Sequence, residues 1–252
     1  MNDHKRGLII GMVLGDGYIQ VRQRLNNGKY PYIASTMRVL HGPKQRAYCE
    51  WKAIRLSWAL GGRKINVTRV KNGPKGKYWA YQFSVDDKYF RQVHRWVYPN
   101  RKKFFSTRIL NMLTPEGIAI WYLDDGSARV NITKDGWIKS VASDIATMCS
   151  EPEANTISKW FLDRFGVKFN IRRRKNSPEE KAFWLQANTT DSHEFISLIQ
   201  AHVPECMKYK LKHVADLNTH ERQAPQGRCT TCGRVYYAKD TKVCVLSVME
   251  ED

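Results

Sequence analysis

The stretches GLIIGMVLGDG (7–17) and GIAIWYLDDG (117–126) decide the reading of this chain. Each is an almost wholly apolar helix-length run that ends in Asp-Gly: Leu8 to Leu14 before Asp16, and Ile118 to Leu123 before Asp124 and Asp125. A helix that is apolar on all sides must be buried on all sides. Gly11 and Gly15 stand four residues apart, one above the other on a helix, and offer a small face for close approach. The economical arrangement packs the two helices against each other at a pseudo-twofold axis. Their C-terminal ends then bring Asp16 and Asp125 together. Carboxylates at the negative ends of two helices repel unless a cation joins them. Mg²⁺, which favours carboxylate and phosphate oxygens, is the expected cation. One Asp-Gly pair would read as an ordinary turn. Two at matching places in a repeat read as a site.

The repeat runs through most of the chain. Lys64-Ile65-Asn66-Val67 matches Lys168-Phe169-Asn170-Ile171, Gln82 matches Gln186 and Asp87 matches Asp191 at one offset, and Pro99 matches Pro204 one residue later. Each copy reads as helix, two strands, helix, two strands, helix. Pro43 opens a helix carrying Tyr48, Trp51, Arg55 and Trp58. Ser150 and Glu153 form a capping-box pattern ahead of Ala154, Ile157, Phe161 and Phe165. NGPKG (72–76) is a hairpin turn, and Trp79, Tyr81, Phe83 and Val85 alternate after it as a core-facing strand row. The expected division is a first repeat at 1–104, a second at 105–220 and a tail at 221–252.

Bulk composition narrows the partner. The 252 residues carry 42 Lys+Arg against 24 Asp+Glu, a net charge of +18, with 42% hydrophobic content. That content excludes a disordered basic tail, and the charge points to a polyanion, with nucleic acid ahead of a membrane surface. No apolar run is long enough to span a bilayer. The run after His4, Lys5 and Arg6 ends in Gly15-Asp16-Gly17 without a cleavage site, so a secreted protein is not expected. Cys49, Cys149 and Cys206 are isolated and suit reduced thiols inside a cell.

The two apolar segments resemble the paired signature helices of the LAGLIDADG homing endonucleases in their single-chain form. LTPEGIAIWYLDDGS (113–127) is similar to the second motif of the branch with W-x-x-D-D-G, and VPECMKYKL (203–211) resembles the end of that branch's second repeat. The resemblance covers about residues 1–217. It implies an α+β fold of two pseudo-symmetric αββαββα repeats, whose sheets form a saddle on double-stranded DNA. It implies that Asp16 and Asp125 are the metal-binding catalytic carboxylates, with Asp124 the extra member of a double-Asp variant. It matches Lys102 and Lys210, each shortly after the repeat proline, to catalytic lysines, and implies a staggered double-strand cut. Two or more Mg²⁺ ions are expected, since phosphodiester hydrolysis needs an activated water and a stabilised leaving oxygen. Gln20 is a further candidate for orienting water. Ile120 departs from the small residue the family places on the interface of the second motif.

Basic residues cluster on predicted strands, where basic and apolar positions alternate and leave one face for DNA. The expected contacts are Arg22, Arg24, Arg38, Arg63, Lys64, Asn66 and Arg69 in the first copy. In the second they are Arg129, Asn131, Lys139, Lys168, Asn170, Arg172 and Arg174. In the major groove Arg reads guanine, and Asn or Gln reads adenine. The tail has five basic and five acidic residues and holds Cys229, Cys232 and Cys244. C-x2-C before Gly suits a zinc turn with His220 as a fourth ligand; reduced thiols and a Cys229–Cys232 redox pair remain open. The expectation is a monomeric nuclease. An intron RNA maturase on the same fold and a non-catalytic DNA-binding regulator are the alternatives.

Overall fold

The computed structural model of the chain describes residues 3–26, 30–132, 134, 138–211, 214, 225–228 and 235–237. Two halves share one order of elements. The first has α1 (Asp3–Leu14), β1 (Tyr18–Asn26), β2 (Tyr30–His41), α2 (Arg46–Ala59), β3 (Thr68–Asn72), β4 (Tyr78–Asp86) and α3 (Lys88–Val97). A short α4 (Thr107–Leu110) leads to the second: α5 (Pro115–Asp125), β5 (Gly126–Ile132), β6 (Ile138–Cys149), α6 (Glu151–Phe165), β7 (Phe169–Arg173), β8 (Phe183–Ala187) and α7 (Thr189–Ile199). Each half holds one antiparallel four-stranded sheet, ordered β1-β2-β4-β3 and β5-β6-β8-β7. The tail contributes an antiparallel pair, β9 (Pro225–Arg228) with β10 (Val235–Tyr237). Cys229, Cys232, Cys244 and His220 lie outside the described residues.

Local signals account for the element ends. The Thr114 hydroxyl accepts from the Gly117 N–H at 3.3 Å, with Pro115 at the first helical position of α5. The Glu153 carboxylate accepts from the Ser150 N–H at 3.0 Å at the head of α6. That helix stops at Gly166, whose φ of 70° is costly for any residue with a Cβ.

The centre of the core is the contact between α1 and α5. Gly7 to Leu14 and Glu116 to Leu123 are all buried. The helices run parallel, with Gly7 against Thr114, Gly11 against Gly117 and Gly15 against Asp124. A Cβ added to Gly11 would fall on the Gly117 backbone, 2.6 Å from its Cα. Ile120, the departure from the family pattern, leaves this seam intact because Gly117 carries the close approach. The Ile120 carbonyl instead accepts from the Tyr48 hydroxyl of α2 at 3.3 Å.

Two strand expectations shift. Residues 64–67, the first copy of the repeated block, have no regular structure, and β3 begins only at Thr68. Trp79 shares the face of the core residues Phe83 and Val85 but is 43% exposed, because the strand runs past the core there. Its ring is covered by the Arg69 guanidinium, 4.1 Å from the centroid.

Gly11→Ala should therefore destabilise the protein by about 2 kcal/mol or more, although Ala is the better helix former. Gly166→Ala should cost only about 1 kcal/mol, since nothing crowds its missing Cβ. Urea denaturation of both variants checks the order.

Candidate active site and nucleic-acid interface

Parallel helices put two negative helix ends and three carboxylates in one place, and the chain meets them with three cations. Lys103 donates to the carbonyls of Leu14 at 2.7 Å and Gly15 at 3.0 Å. Lys210 donates to those of Leu123 at 2.6 Å and Gly126 at 2.9 Å. Each ammonium thus satisfies carbonyls that a helix end leaves without partners. Burial lowers the pKa of both lysines, against the raising effect of the carboxylates. Lys102 is exposed, and its neighbour Lys103 is the residue that reaches the helix end.

The third cation is Lys52 of α2, which is fully buried. Its ammonium donates to both oxygens of Asp124, at 2.5 and 2.6 Å, in an ion pair shut away from solvent. It also lies 3.1 Å from His41 Nε2 and 4.6 Å above the Tyr48 ring. Asp124 Oδ2 accepts from the Asp16 N–H at 2.9 Å, so a carboxylate of α5 caps the turn that follows α1. An ammonium has no acceptor, so Lys52 donates to Nε2 and the His41 proton sits on Nδ1. Nδ1 lies 3.2 Å from Gln45 Oε1 and 3.5 Å from Asp16 Oδ2. Burial, then the charge of Lys52, pushes the His41 pKa down to about 4. The ring is neutral near pH 7, and its approach to Asp16 is a weak polar contact rather than an ion pair.

Donor atoms of Asp16, His41 and Asp124 lie within 4.8 Å of one another, close enough to share a cation. However, Lys52 already engages both Asp124 oxygens and His41 Nε2. The carboxylates left to receive a divalent cation are Asp16 and Asp125. Burial raises the Asp16 pKa, with Asp124 adding to the rise. Burial likewise pushes Asp125 up to about 7, with Asp124 and Asp16 adding and Lys103 opposing. Two carboxylates that resist losing their protons in the bare protein suit a site completed by positive charge.

Strand register sorts the expected DNA contacts. Gln20, Arg22 and Arg24 of β1 share the face turned away from the helices with Arg38 of β2. Arg129 and Asn131 of β5 and Asn170 and Arg172 of β7 share the matching face of the second sheet. Arg69 and Lys139 instead share the faces of core residues, Phe83 and Val141 respectively. Arg63, Lys64, Asn66, Lys168 and Arg174 lie in connections; Arg63 is held by the Asp86 carbonyl and the Asp87 carboxylate. Two acids on the open faces had no signal in the charge pattern. Asp86 receives Arg24 at 3.0 Å and the Thr36 hydroxyl. Asp144 receives Arg129 and, at 3.1 Å, the Gln186 amide, whose oxygen accepts from Arg172 at 2.9 Å. The Arg129 guanidinium also lies 5.0 Å above the Trp184 ring.

Lys52 and His41 are the site residues that sequence reasoning missed. Their signal is positional: a lysine on the buried stripe of Cys49, Ala53 and Leu56, and a histidine in strand register with Met37 and Val39.

The profile of the LAGLIDADG DNA endonuclease family matches residues 6–195, three quarters of the chain. The chain belongs to that family. Protein RecA of Mycobacterium gastri is 28% identical over 221 residues, which cover 84% of this chain and 48% of the relative. The chain thus spans about half the length of these RecA relatives. DNA endonuclease I-ChuI of Chlamydomonas applanata is 21% identical over 222 residues, 84% of this chain and 95% of its own. The homing endonuclease I-WcaI bound to its DNA recognition sequence has the same fold, with a TM-score of 0.63, 21% identity and coverage of 83% and 86%. Among the described residues no helix is long and apolar enough to cross a membrane.

Asp125 gives a stability prediction with a defined sign. Its pKa is higher in the folded chain than in the unfolded one, so the fold favours the protonated form. The metal-free protein should lose stability as pH rises from about 4 through about 7 and level off above. Asp125→Asn removes the buried charge. It should stabilise the metal-free protein by on the order of 2–4 kcal/mol at pH 8 and hardly at all at pH 4. Urea unfolding in EDTA at both pH values checks this, and an equal gain at both would refute it.

Proposed function

We propose that this chain is a site-specific, divalent-metal-dependent DNA endonuclease that makes a staggered double-strand break and works as a monomer. One observation carries the reading: Asp16 and Asp125 end two parallel, glycine-packed helices, each flanked by a half-buried lysine, between two sheets with basic open faces. The I-WcaI complex with its recognition sequence supports the same placement of DNA, although at 21% identity the likeness is one of fold.

The residues fit a hard divalent cation, with Mg²⁺ the proposed one: oxygen donors from Asp16 and Asp125, near the helix-end carbonyls. When bound, such an ion supplies an activated water and charge stabilisation at the leaving oxygen. The chain does the rest. The open faces hold the duplex so that a scissile phosphate of each strand meets one helix end. Lys103 and Lys210, with ammonium groups already at those ends, polarise the phosphate or its attacking water. Gln20, in β1 just beyond Asp16, orients that water. Arg24 and Arg129 reach bases from positions fixed by Asp86 and Asp144, while Arg172 is fixed by Gln186. Their side chains therefore lose less freedom on binding.

The test is cleavage of a randomised duplex library with Mg²⁺, with Ca²⁺ as the binding control. Enriched cleaved sites are expected with Mg²⁺; no cleaved sequence under any divalent ion would overturn the proposal. On a selected site, Asp16→Asn and Asp125→Asn should each abolish double-strand cleavage while binding in Ca²⁺ persists. Lys103→Met should lower the cleavage rate about 100-fold, and Lys102→Met less than about threefold.

A further inference from the structure

The buried cluster on α2 and β2 belongs to one half only. Leu40 and Asp144 sit opposite the repeat glutamines Gln82 and Gln186, so the next residues, His41 and Ile145, are counterparts. The buried positions Cys49, Lys52 and Leu56 of α2 match Ala154, Ile157 and Phe161 of α6, which sets Lys52 against Ile157. Asp124 precedes Asp125 as Gly15 precedes Asp16. The second half therefore has Ile145 and Ile157 where the first has His41 and Lys52, and the first helix has Gly15 where the second has Asp124. Among the described residues, the cluster of Lys52, His41 and Asp124 has no counterpart in the second half.

Both arms of that cluster end on Asp16. One passes from Lys52 through Asp124 to the Asp16 N–H. The other passes from Lys52 to His41, whose Nδ1 lies 3.5 Å from the Asp16 carboxylate as a weaker polar contact. Among the described residues no hydrogen bond or ion pair fixes the Asp125 carboxylate. A buried ion pair is weak support for stability as such, and retained ones are better explained by what they hold in place.

We propose that Lys52 is a positioning residue that fixes the Asp16 turn through Asp124 and His41, so that cleavage of the two DNA strands depends on it unequally. The inference rests on the endonuclease reading. Lys52 touches neither DNA nor metal; it orients the carboxylate that does. Lys52→Met keeps the length of the stem and strands a buried carboxylate. Lys52→Met/Asp124→Asn removes both charges while leaving an amide oxygen to accept the Asp16 N–H, so it is the variant that survives if the single one does not fold.

Two measurements test this. With a library-selected duplex labelled on both strands and Mg²⁺ present, the ratio of the two strand-cleavage rates should change at least tenfold in Lys52→Met. It should return to within about threefold of the parent in the double variant. In the metal-free, DNA-free protein, amide exchange at Asp16 should speed up about tenfold in Lys52→Met and recover in the double variant. A merely structural lysine would slow both strands together and leave their ratio unchanged; that result overturns the proposal. If Lys52→Met does not fold, a double variant with a strand ratio shifted tenfold or more overturns it as well. If the parent cuts no duplex, the endonuclease reading fails. Unchanged Asp16 exchange in both variants would then overturn the positioning role by itself.

Discussion

The closeness of α1 and α5 sets the rest of the molecule. Gly7 and Gly11 on α1, Gly15 just past its end and Gly117 on α5 remove the side chains that would hold the axes apart. The helices are parallel, so their carbonyl-bearing ends fall side by side and their partial negative charges add. Asp16, Asp124 and Asp125 make the place more negative still. Lys52, Lys103 and Lys210 then follow as an electrostatic requirement: each offsets a charge that the packing creates. The lysines differ in what they hold. Lys103 and Lys210 sit on backbone carbonyls at the helix ends. Lys52 is locked to a side chain in the interior.

That division explains how one chain carries three acids in a small space while leaving two, Asp16 and Asp125, for the proposed metal site. Asp124 is spent on architecture: it is paired by Lys52 and caps the turn of the other half. Asp16 and Asp125 keep raised pKa values because burial and their neighbours disfavour their charge. The open sheet faces follow the same logic at lower cost. Asp86 and Asp144 are acids on surfaces otherwise suited to phosphate, and each orients an arginine. A face of bare arginines would bind DNA without fixing where each guanidinium points.

Much of this was legible in sequence because the signals are local and periodic. Two fully apolar runs with matching Asp-Gly ends require burial, and the glycine spacing on α1 is written in the chain. Alternation along β1, β5 and β7 placed Gln20, Arg22, Arg24, Arg129, Asn131, Asn170 and Arg172 on one face each. Alternation failed where a strand stops or outruns the core. Residues 64–67 never join the ladder, which moves Lys64 and Asn66 into a connection. Trp79 continues the core row in sequence, yet it stays partly exposed with the Arg69 guanidinium over its ring. The resemblance pointed to Lys102, whereas the adjacent Lys103 is the one that reaches the end of α1, a distinction that backbone direction makes and residue type does not.

The sequence by itself determined that the fold is duplicated and that two acidic turns end buried helices; it also put the excess charge on strands, where the structure leaves Arg63, Lys64, Lys168 and Arg174 in connections. These follow from periodicity, composition and repetition, which are properties of neighbours along a chain. Only the tertiary structure decided which lysine meets which helix end, that Asp124 pairs with Lys52, and that His41 joins them. Those contacts link residues 11 to 108 positions apart, and their strength depends on distance and on the exclusion of water. A lysine inside a helix reads as a solvated side chain until packing removes its water, and only then does it need an anion beside it.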